Sequence, residues 1–496
     1  MASGRWCCTV CGYLHLGDAL PDCCPVCGAT PDLFEASAVL PAPVQSAPRS
    51  WRCMNCDYIH EGDAPPECCP VCGVGPDQFE PVSPPQQGVP LQATSGAIVV
   101  IGGGIAGLSA AEAARNSAPQ ASITLVCLED DLPYYRLNLT RYLAGEISAS
   151  DLPVHPQSWY AEMRITVLRG AEVCNINRAA RKVSLKGHPD LSYDKLILAM
   201  GAHPSVPPIP GADRDNVVTL RTIRDAEAIL AKCQAGIRCV VIGGGVLGLE
   251  AAAALARHRV QVTLMEGFDW LLPRQLNLAA GERLGAEVRA LGINLICLAR
   301  VKKLAGGDQV ASVVLETGES FPADLVIIST GVRSNSYLAR LAGLEVDSGV
   351  VVDQHLRSTD PDIYAAGDLA EHLGMVYGTW APSQFQGTIA GMNAAGEAAI
   401  FAGIPRSNSL KVLGVDLFSI GLVHPDDASY QTYQAENGHY QQFVFRDSHL
   451  VGAILLGDTS IAPKVKKLIE GGVSCTELLA GANDAGRIHA GIAAMA

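Results

Sequence analysis

The fold is decided by the stretch IVVIGGGIAG at residues 98–107, which returns as CVVIGGGVLG at residues 239–248. In each copy a short apolar run predicts a strand, the glycines predict a tight turn, and the alanine-rich stretch that follows predicts a helix. A second strand comes after each helix, over Ile123 to Val126 in the first copy and Gln261 to Glu266 in the second. Two such βαβ units in one chain predict an α/β protein with two doubly wound, Rossmann-like domains.

The glycine spacing of both loops predicts dinucleotide sites. Glycines let the turn close and let a pyrophosphate approach the helix N-terminus, where backbone N–H groups and the helix dipole favour an anion. A tight turn without a ligand is the alternative for either loop, but two complete copies favour nucleotides. The predicted contacts are Gly102, Gly104 and Gly107 in the first loop, and Gly243, Gly245 and Gly248 in the second.

Acidic residues after the second strands indicate which nucleotides bind. Glu266 ends the strand of the second copy. A carboxylate there accepts a hydrogen bond from a free ribose 2′-hydroxyl and repels a 2′-phosphate, which predicts a preference for NADH over NADPH. Arg274, several residues further on, could weaken that preference. In the first copy the acid Glu129 arrives one position late, and Leu128 stands where the acid is expected.

The first eighty residues carry one cysteine pattern twice, 45 positions apart, as WCCTVCGY (6–13) with PDCCPVCG (21–28), and WRCMNCDY (51–58) with PECCPVCG (66–73). Each copy has two C-x-x-C turns, and two such turns complete a four-sulfur cage suited to zinc or iron. The predicted ligands are Cys8, Cys11, Cys24 and Cys27 in the first copy, and Cys53, Cys56, Cys69 and Cys72 in the second. Three aromatic positions also repeat and predict a small core against each cage: Trp6, Tyr13 and Phe34, then Trp51, Tyr58 and Phe79.

Composition restricts the possible partners. The 496 residues are 48% hydrophobic and 17% charged, which is typical of several folded domains. The net charge of −14 argues against nucleic acid and anionic membranes as partners. We find no secretory signal and no apolar run long enough to span a bilayer, and the cysteine usage favours a reducing cytoplasm. The oligomeric state stays open, a homo-oligomer included.

Seven motifs together resemble the flavoprotein pyridine-nucleotide oxidoreductases, specifically their NADH:rubredoxin reductase branch, over residues 96–496. They are GGGIAG (102–107), LPYYR (132–136), LILAMGAHP (196–204), GGGVLGLE (243–250), LPRQL (272–276), STGVR (329–333) and YAAGD (364–368). The cysteine repeats resemble the short rubredoxin modules of rubrerythrins, down to the CPVCG turn. The resemblance implies FAD at the first loop and NADH at the second.

Composition and periodicity, together with the resemblance, predict a division of the chain. The rubredoxin-like, zinc-ribbon-like modules are 1–36 and 51–80, with linkers at 37–50 and 81–95. The FAD-binding domain is 96–215 together with 333–404, the NADH-binding domain is 216–332, and a small α+β domain is 405–496.

Several residues acquire roles from the resemblance. Asp368 binds the ribityl and pyrophosphate region of FAD, while Arg136 and Arg141 line the isoalloxazine. Trp380 and Gln386 lie where a helix N-terminus meets the flavin pyrimidine and stabilises negative charge on reduced flavin, although an ordinary buried tryptophan is an alternative for Trp380. Gly201 and Glu129 complete the predicted FAD contacts.

The predicted catalytic residues are Arg141 and Glu250. Glu250 is placed near the nicotinamide, ion-paired to Arg141, on the first turn of its helix. An acid that only favours the helix dipole is the alternative for Glu250. The family's prolines after Arg136 are replaced here by Leu137 and Asn138.

The absence of a redox-active cysteine near the flavin predicts the route of electrons. Residues 138–141, where the peroxidase and coenzyme A disulfide branches of the family carry a single cysteine, read NLTR. Hydride from NADH should therefore reach FAD, and single electrons should leave through two mononuclear iron cages to an outside acceptor. The resemblance implies that this acceptor is a rubrerythrin, a peroxide reductase or a flavodiiron protein. The alternatives are an NADH oxidase, a nitrite-reductase-like reductase component, and a flavoprotein sensor with zinc docking modules.

Overall fold

The computed structural model describes residues 50–54, 58–62, 64–70, 74–82, 95–403, 407–412, 414–481 and 484–495, and within residues 1–49 it describes three short strands. The chain divides into two units, residues 1–49 and 50–496. The predicted ligands Cys11, Cys24, Cys27, Cys56 and Cys72 lie outside the described residues.

The two cysteine repeats have the same strand pairing. In the first unit, Arg5–Cys8 lies between Leu14–Leu16 and Phe34–Ala36 in an antiparallel sheet. In the second module, Ser50–Cys53 lies in the same way between Ile59–Glu61 and Phe79–Val82. Cys8 pairs with Phe34, and Cys53 pairs with Phe79, so the register also repeats at 45 residues. The sequence repeat is therefore a structural repeat.

The first doubly wound domain is built on a five-stranded parallel sheet, and the two predicted strands of the first βαβ unit lie at its centre. The strand order is Ile363–Ala365, Lys195–Leu198, Ala97–Ile101, Ser122–Val126 and Ile165–Leu168. Ala97–Ile101 is almost wholly buried, as expected of a strand covered by helices on both faces. The helices are Ile105–Ser117, Leu139–Leu143, Gln157–Glu162, Tyr337–Leu341 and Trp380–Ala394.

Two glycines allow the long helix Trp380–Ala394 to pack closely on Ile105–Ser117. A Cβ at Gly387 would lie 2.2 Å from the carbonyl oxygen of Ala106, and one at Gly391 would lie 2.3 Å from that of Ala110. Since no larger residue fits at either position, these glycines fix the start of the long helix beside the first glycine loop.

The second doubly wound domain repeats the architecture. Its parallel strands, in order, are Val217–Val218, Leu325–Ile328, Arg238–Ile242, Gln261–Met265 and Asn294–Ile296. Its helices are Ile223–Lys232, Val246–Arg257 and Leu278–Ala290. The predicted pair of Rossmann-like domains is confirmed.

Smaller sheets complete these two domains. Three strands form one antiparallel sheet, Val173–Asn177, Lys182–Leu185 and Leu191–Ser192, and three more form another, Val301–Gly306, Val310–Leu315 and Ser320–Pro322. Ala202–Pro204 pairs with Val332–Ser334, and Val350–Val352 pairs with Ala370–His372.

The C-terminal part is an antiparallel sheet covered by helices, as the α+β prediction requires. Its strands, in order, are Ser407–Val412, Val415–Gly421, His449–Leu456, His439–Arg446 and Gln431–Asn437. The helices are Ala462–Glu470, Thr476–Ala480 and Ala485–Ala494. None of the helices in the described part of the chain has both the length and the apolar character needed to span a bilayer.

Candidate functional site

The glycines of the first loop have three different environments. Gly102 has φ of +122°, a conformation that L side chains rarely adopt, and a Cβ on Gly107 would lie 1.9 Å from the carbonyl oxygen of Gly102. These two glycines are therefore required by the turn and by helix packing. Gly104 has nothing within 4 Å of its Cβ position, and it is the N-cap of its helix with no side-chain cap. The open space in front of free helix N–H groups is the geometry that a pyrophosphate needs.

The second loop has the same three environments. Gly243 has φ of +112°, a Cβ on Gly248 would lie 2.0 Å from the carbonyl oxygen of Gly243, and Gly245 faces open space. Both loops thus combine two structural glycines with one that leaves room for a ligand.

Predicted FAD contacts meet around Asp368. Asp368 accepts hydrogen bonds from Arg221 at 3.1 Å and from the hydroxyl of Ser383 at 3.3 Å. Gln386 is fully buried, and its side-chain oxygen accepts from the backbone N–H of Gly367, next to Asp368, at 2.9 Å. Gly201 has φ of +62°, and a Cβ built on it would lie 3.6 Å from the Arg221 guanidinium. The structure therefore brings Asp368, Gln386 and Gly201 together, with Arg221 between them.

Glu129 and Arg136 form a second group in this domain. The Glu129 carboxylate accepts from Arg136 at 2.6 Å and from the Tyr134 hydroxyl at 2.8 Å. Arg136 also donates to the carbonyl oxygen of Arg221 and lies 4.8 Å from the centre of the Tyr134 ring. Glu129 is thus held by its own loop, and through Arg136 it is tied to Arg221.

Three buried polar atoms have no hydrogen-bond partner among the described residues, as is expected of a flavin site without its ligand. They are the Trp380 Nε1, the Gln386 Nε2 and the Asn138 Oδ1. Trp380 is the first residue of its helix, which confirms the predicted helix N-terminus. Buried polar atoms are normally paired. The residues present therefore fit a bound FAD, which would supply the missing partners.

Glu250 is positioned differently from the prediction. Its helix begins at Val246, so Glu250 is its fifth residue, and the first turn contains no acid. The predicted ion pair with Arg141 is wrong: Glu250 accepts from the Thr140 hydroxyl at 2.8 Å, while Arg141 pairs with Glu146 at 3.3 Å. Desolvation by burial raises the pKa of Glu250 to about 7, against the opposing effect of the Thr140 hydrogen bond.

The predicted position of the acids is confirmed in the second copy and corrected in the first. Glu266 is buried after Gln261–Met265 and accepts from the backbone N–H of Gly244 at 2.8 Å and of Phe268 at 2.9 Å. Each carboxylate oxygen has a further lone pair for a ribose hydroxyl. The same strand register places Cys127, not Leu128, at the corresponding place in the first copy, because Gly102 N–H donates to Val126 just as Gly243 N–H donates to Met265. Glu129 therefore lies two positions after the place that corresponds to Glu266, and the expected difference of one position is wrong.

Cys127 packs in place of an acid. A Cβ on Gly103 would lie 2.6 Å from the Cys127 sulfur, as one on Gly244 would lie 2.8 Å from the Glu266 carboxylate. Burial raises the pKa of the Cys127 thiol to about 12, so this thiol is an apolar packing group. Leu128 beside it is 70% exposed.

The second cysteine module has two equivalent turns. The N–H of Cys53 donates to the carbonyl of Tyr58, and the N–H of Cys69 donates to that of Val74, each at 2.8 Å and five residues ahead. Both cysteines are buried in one cluster with Phe79, against which Trp51, Tyr58 and Val74 pack. The aromatic core predicted for this copy is confirmed. Two buried thiols on matching turns fit a tetrathiolate metal, although the described residues alone contain no group of three ligands, since Cys56 and Cys72 are not among them.

Among the described residues, the second module contacts the part of the chain after residue 95 at three points. The Asn138 amide donates to the carbonyl oxygen of Pro70, in the CPVCG turn, at 3.3 Å. The Tyr58 ring lies 6.5 Å from the Tyr135 ring, which stacks at 5.5 Å on Trp380. Arg52 reaches Glu470 at 3.3 Å. We call Tyr135, Asn138 and Glu470 the docking surface.

Family comparison agrees with this architecture. Residues 96–398 match the pyridine nucleotide-disulphide oxidoreductase family, residues 407–473 match the rubredoxin NAD+ reductase C-terminal domain, and residues 6–35 and 51–80 each match the rubrerythrin rubredoxin-like domain. The first match covers more than half of the chain. The protein belongs to the pyridine nucleotide-disulphide oxidoreductase family. The predicted resemblance is confirmed.

Individual members of the family show how far the likeness extends. The chain is 32% identical to nitrite reductase [NAD(P)H] of Bacillus subtilis over 75% of its own length and 47% of that protein, so it spans about half of this relative. It is 29% identical to NADH-rubredoxin oxidoreductase of Clostridium acetobutylicum over 75% of its own length and 94% of that protein. The solved covalent putidaredoxin reductase–putidaredoxin complex superposes with a TM-score of 0.71, at 28% identity, over 80% of this chain and 99% of that one.

Sequence reasoning missed three contributors to the site. Arg221 joins Asp368 to the Arg136 loop, Thr140 holds Glu250, and Tyr135 stands between Trp380 and the second module. Tyr135 and Thr140 lie in or near the LPYYR motif, which could have indicated them. Arg221 lies in no recognised motif, and only the folded contacts identify it.

Proposed function

We propose that this chain is an NADH-dependent flavoprotein oxidoreductase that passes electrons through FAD to iron held by its two cysteine modules and on to an external acceptor. The observation that carries the proposal is the contact of the second module with the docking surface, where the CPVCG turn and Tyr58 meet Asn138 and Tyr135. An iron–thiolate module needs to lie close to a flavin to exchange electrons with it, and this contact supports such a proximity to the proposed FAD site.

The residues of the first domain have defined tasks toward the cofactor. When bound, FAD takes a hydride from a reduced nicotinamide and releases its electrons singly. Gly104 leaves space for the pyrophosphate, and Asp368, held by Arg221, binds the ribityl and pyrophosphate region. The N-terminus of the helix at Trp380 favours negative charge in front of it. We also propose residues 96–215 with 333–404 as the FAD-binding domain and residues 216–332 as the NADH-binding domain.

The second domain binds NADH and handles a proton. Glu266 selects the free 2′-hydroxyl while it holds the loop through Gly244. Glu250, whose pKa burial raises to about 7, accepts from Thr140 with one carboxylate oxygen and can hold a proton on the other. Arg141 balances the charge of Glu146 beside it. Arg141 and Glu250 are therefore the proposed catalytic residues, acting separately.

The proposed cages use the eight cysteines predicted above, with iron supplying one-electron redox chemistry. Zinc would leave the modules as docking elements only. The proposed acceptor is a rubrerythrin, a peroxide reductase or a flavodiiron protein in a reducing cytoplasm. A nitrite-reductase-like reductase component is the second candidate, and the 32% identity to the Bacillus subtilis enzyme favours it.

A spectrum and a pair of variants test the proposal. Iron-loaded chain should absorb beyond the flavin bands, lose that absorption when NADH is added anaerobically, and contain about two irons by metal analysis. A Cys8→Ser/Cys53→Ser double variant should keep flavin reduction by NADH and lose electron delivery to a rubredoxin-dependent acceptor. Delivery at the wild-type rate in that variant would contradict the modules' role.

A further inference from the structure

The two cysteine modules differ at one position that matters for docking. Alignment of Trp6 with Trp51 places Cys7 opposite Arg52. Arg52 donates to Glu80 of its own module at 2.6 Å and to Glu470 of the C-terminal domain at 3.3 Å. The first module has Glu35 as the counterpart of Glu80, but it has a cysteine, Cys7, where the second module has Arg52. Only the second module therefore carries the cation for this contact.

Glu470 of the C-terminal domain is the partner of Arg52 in this contact. Glu470 lies at the end of the helix Ala462–Glu470 and is 3.9 Å from Lys466 one turn earlier. The Glu470 side chain is 20% exposed and that of Arg52 27%. A partly buried ion pair between chain segments 418 residues apart fixes orientation more than it adds stability.

A second contact involves Asn138. The Asn138 side-chain amide donates to the Pro70 carbonyl of the second module at 3.3 Å. Tyr58 also hydrogen bonds to Tyr135, whose ring stacks on Trp380. Asn138 and Tyr135 thus act as positioning residues for the module.

We propose that the second module is the resident partner of the docking surface and receives electrons before the first module. This rests on the proposed function. The balance is one NADH giving two electrons and a proton: NADH plus two ferric centres gives NAD+, H+ and two ferrous centres. The order follows because the surface is occupied by a module whose Arg52 is replaced by Cys7 in the other copy.

Docking is tested without electron transfer, by hydrogen exchange on the full chain loaded with zinc. In Arg52→Gln and Glu470→Gln we expect backbone exchange of residues 135–143 to rise by about 5-fold over wild type. Glu477→Gln changes an exposed glutamate of the same domain and should leave exchange unaltered. Unchanged exchange in both interface variants would overturn the docking assignment, whatever the electron transfer result.

The order is tested anaerobically with iron-loaded chain mixed with NADH. Iron in Cys8→Ser, which keeps the second cage, should be reduced at the fast wild-type rate. Iron in Cys53→Ser, which keeps the first cage, should be reduced at least about 10-fold more slowly. Equal fast rates would overturn the order, whereas no iron reduction in wild type would overturn the proposed function instead.

The repeat allows the contact of Tyr58 with Tyr135 to be tested by making the same substitution in both modules. Tyr58→Phe removes the hydroxyl that bonds to Tyr135 and should slow iron reduction by about 3-fold, while flavin reduction by NADH stays the same. Tyr13→Phe makes the same change in the first module and should leave the first phase of iron reduction unaltered. A slower first phase in Tyr13→Phe would place the first module on the docking surface and overturn the proposal.

Discussion

At the scale of single residues, Glu250 should make stability depend on pH. Burial raises its pKa from 4.5 to about 7 in the folded chain, so between those values the folded chain holds a proton that the unfolded chain has released. Stability should therefore fall as the pH rises through this window, by on the order of 1–3 kcal/mol for a part-buried carboxyl. Glu250→Gln should remove this loss, matching wild type near pH 5 and exceeding it near pH 8 in urea unfolding.

Thr140→Val is the matched control for this effect. It removes the hydrogen bond that lowers the pKa of Glu250, so the loss of stability should extend to higher pH than in wild type. Identical pH slopes for wild type and Glu250→Gln would show that another group titrates in this window.

Glu266 should determine nucleotide choice. Its carboxylate repels a 2′-phosphate, so Glu266→Gln should lower the ratio of kcat/KM for NADH over NADPH by about 10-fold or more. Because Glu266 also accepts from Gly244 and Phe268, the variant should lose some stability, and the ratio rather than the absolute rate is the measurement. Arg274→Gln should move the ratio in the opposite direction if that arginine attracts the phosphate. A ratio unchanged in Glu266→Gln would locate the selectivity elsewhere.

At the scale of elements, two glycines of the first loop have different roles, Gly107 in folding and Gly104 in binding. Gly104→Ala adds a methyl group with no protein atom within 4 Å, whereas Gly107→Ala places one 1.9 Å from the Gly102 carbonyl oxygen. We expect Gly104→Ala to keep the wild-type Tm of the flavin-free chain and to lose most bound FAD, because the methyl group fills the pyrophosphate space. Gly107→Ala should lower the Tm itself. Full flavin content in purified Gly104→Ala would contradict the pyrophosphate position.

Elements with a local cause were predictable from the sequence. Both glycine loops, the strands beside them and the start of the helix at Trp380 follow from apolar runs and turn residues a few positions apart. The cysteine repeat could also be predicted from the sequence, because its strand register recurs with the same spacing of 45 residues. The offset at Cys127 was misjudged since the end of a strand is set by its neighbours: the hydrogen bond from Gly102 to Val126 defines it.

Contacts between distant segments could not be predicted. Glu250 has Thr140 rather than Arg141 as its partner because two helices from different domains meet there. The pair of Arg52 and Glu470 joins residues 418 positions apart. No periodicity or spacing encodes such contacts, so the docking surface became visible only in the folded chain.

At the scale of the whole molecule, the number of electrons that the chain accepts should equal the sum of the electrons that its redox centres take up. FAD takes two electrons and each iron takes one, so the iron-loaded chain should consume about two equivalents of NADH per flavin in an anaerobic titration. With zinc in both modules it should consume about one, and Cys8→Ser with iron in the second cage should consume about one and a half. The flavin bands and the iron absorption are followed separately, and metal analysis gives the occupancy of each sample. A zinc-loaded chain serves as the control because zinc keeps the thiolate geometry without redox chemistry. Consumption of one equivalent by a chain that contains two irons would mean that the cages stay outside the path of electrons, even while the second module remains docked.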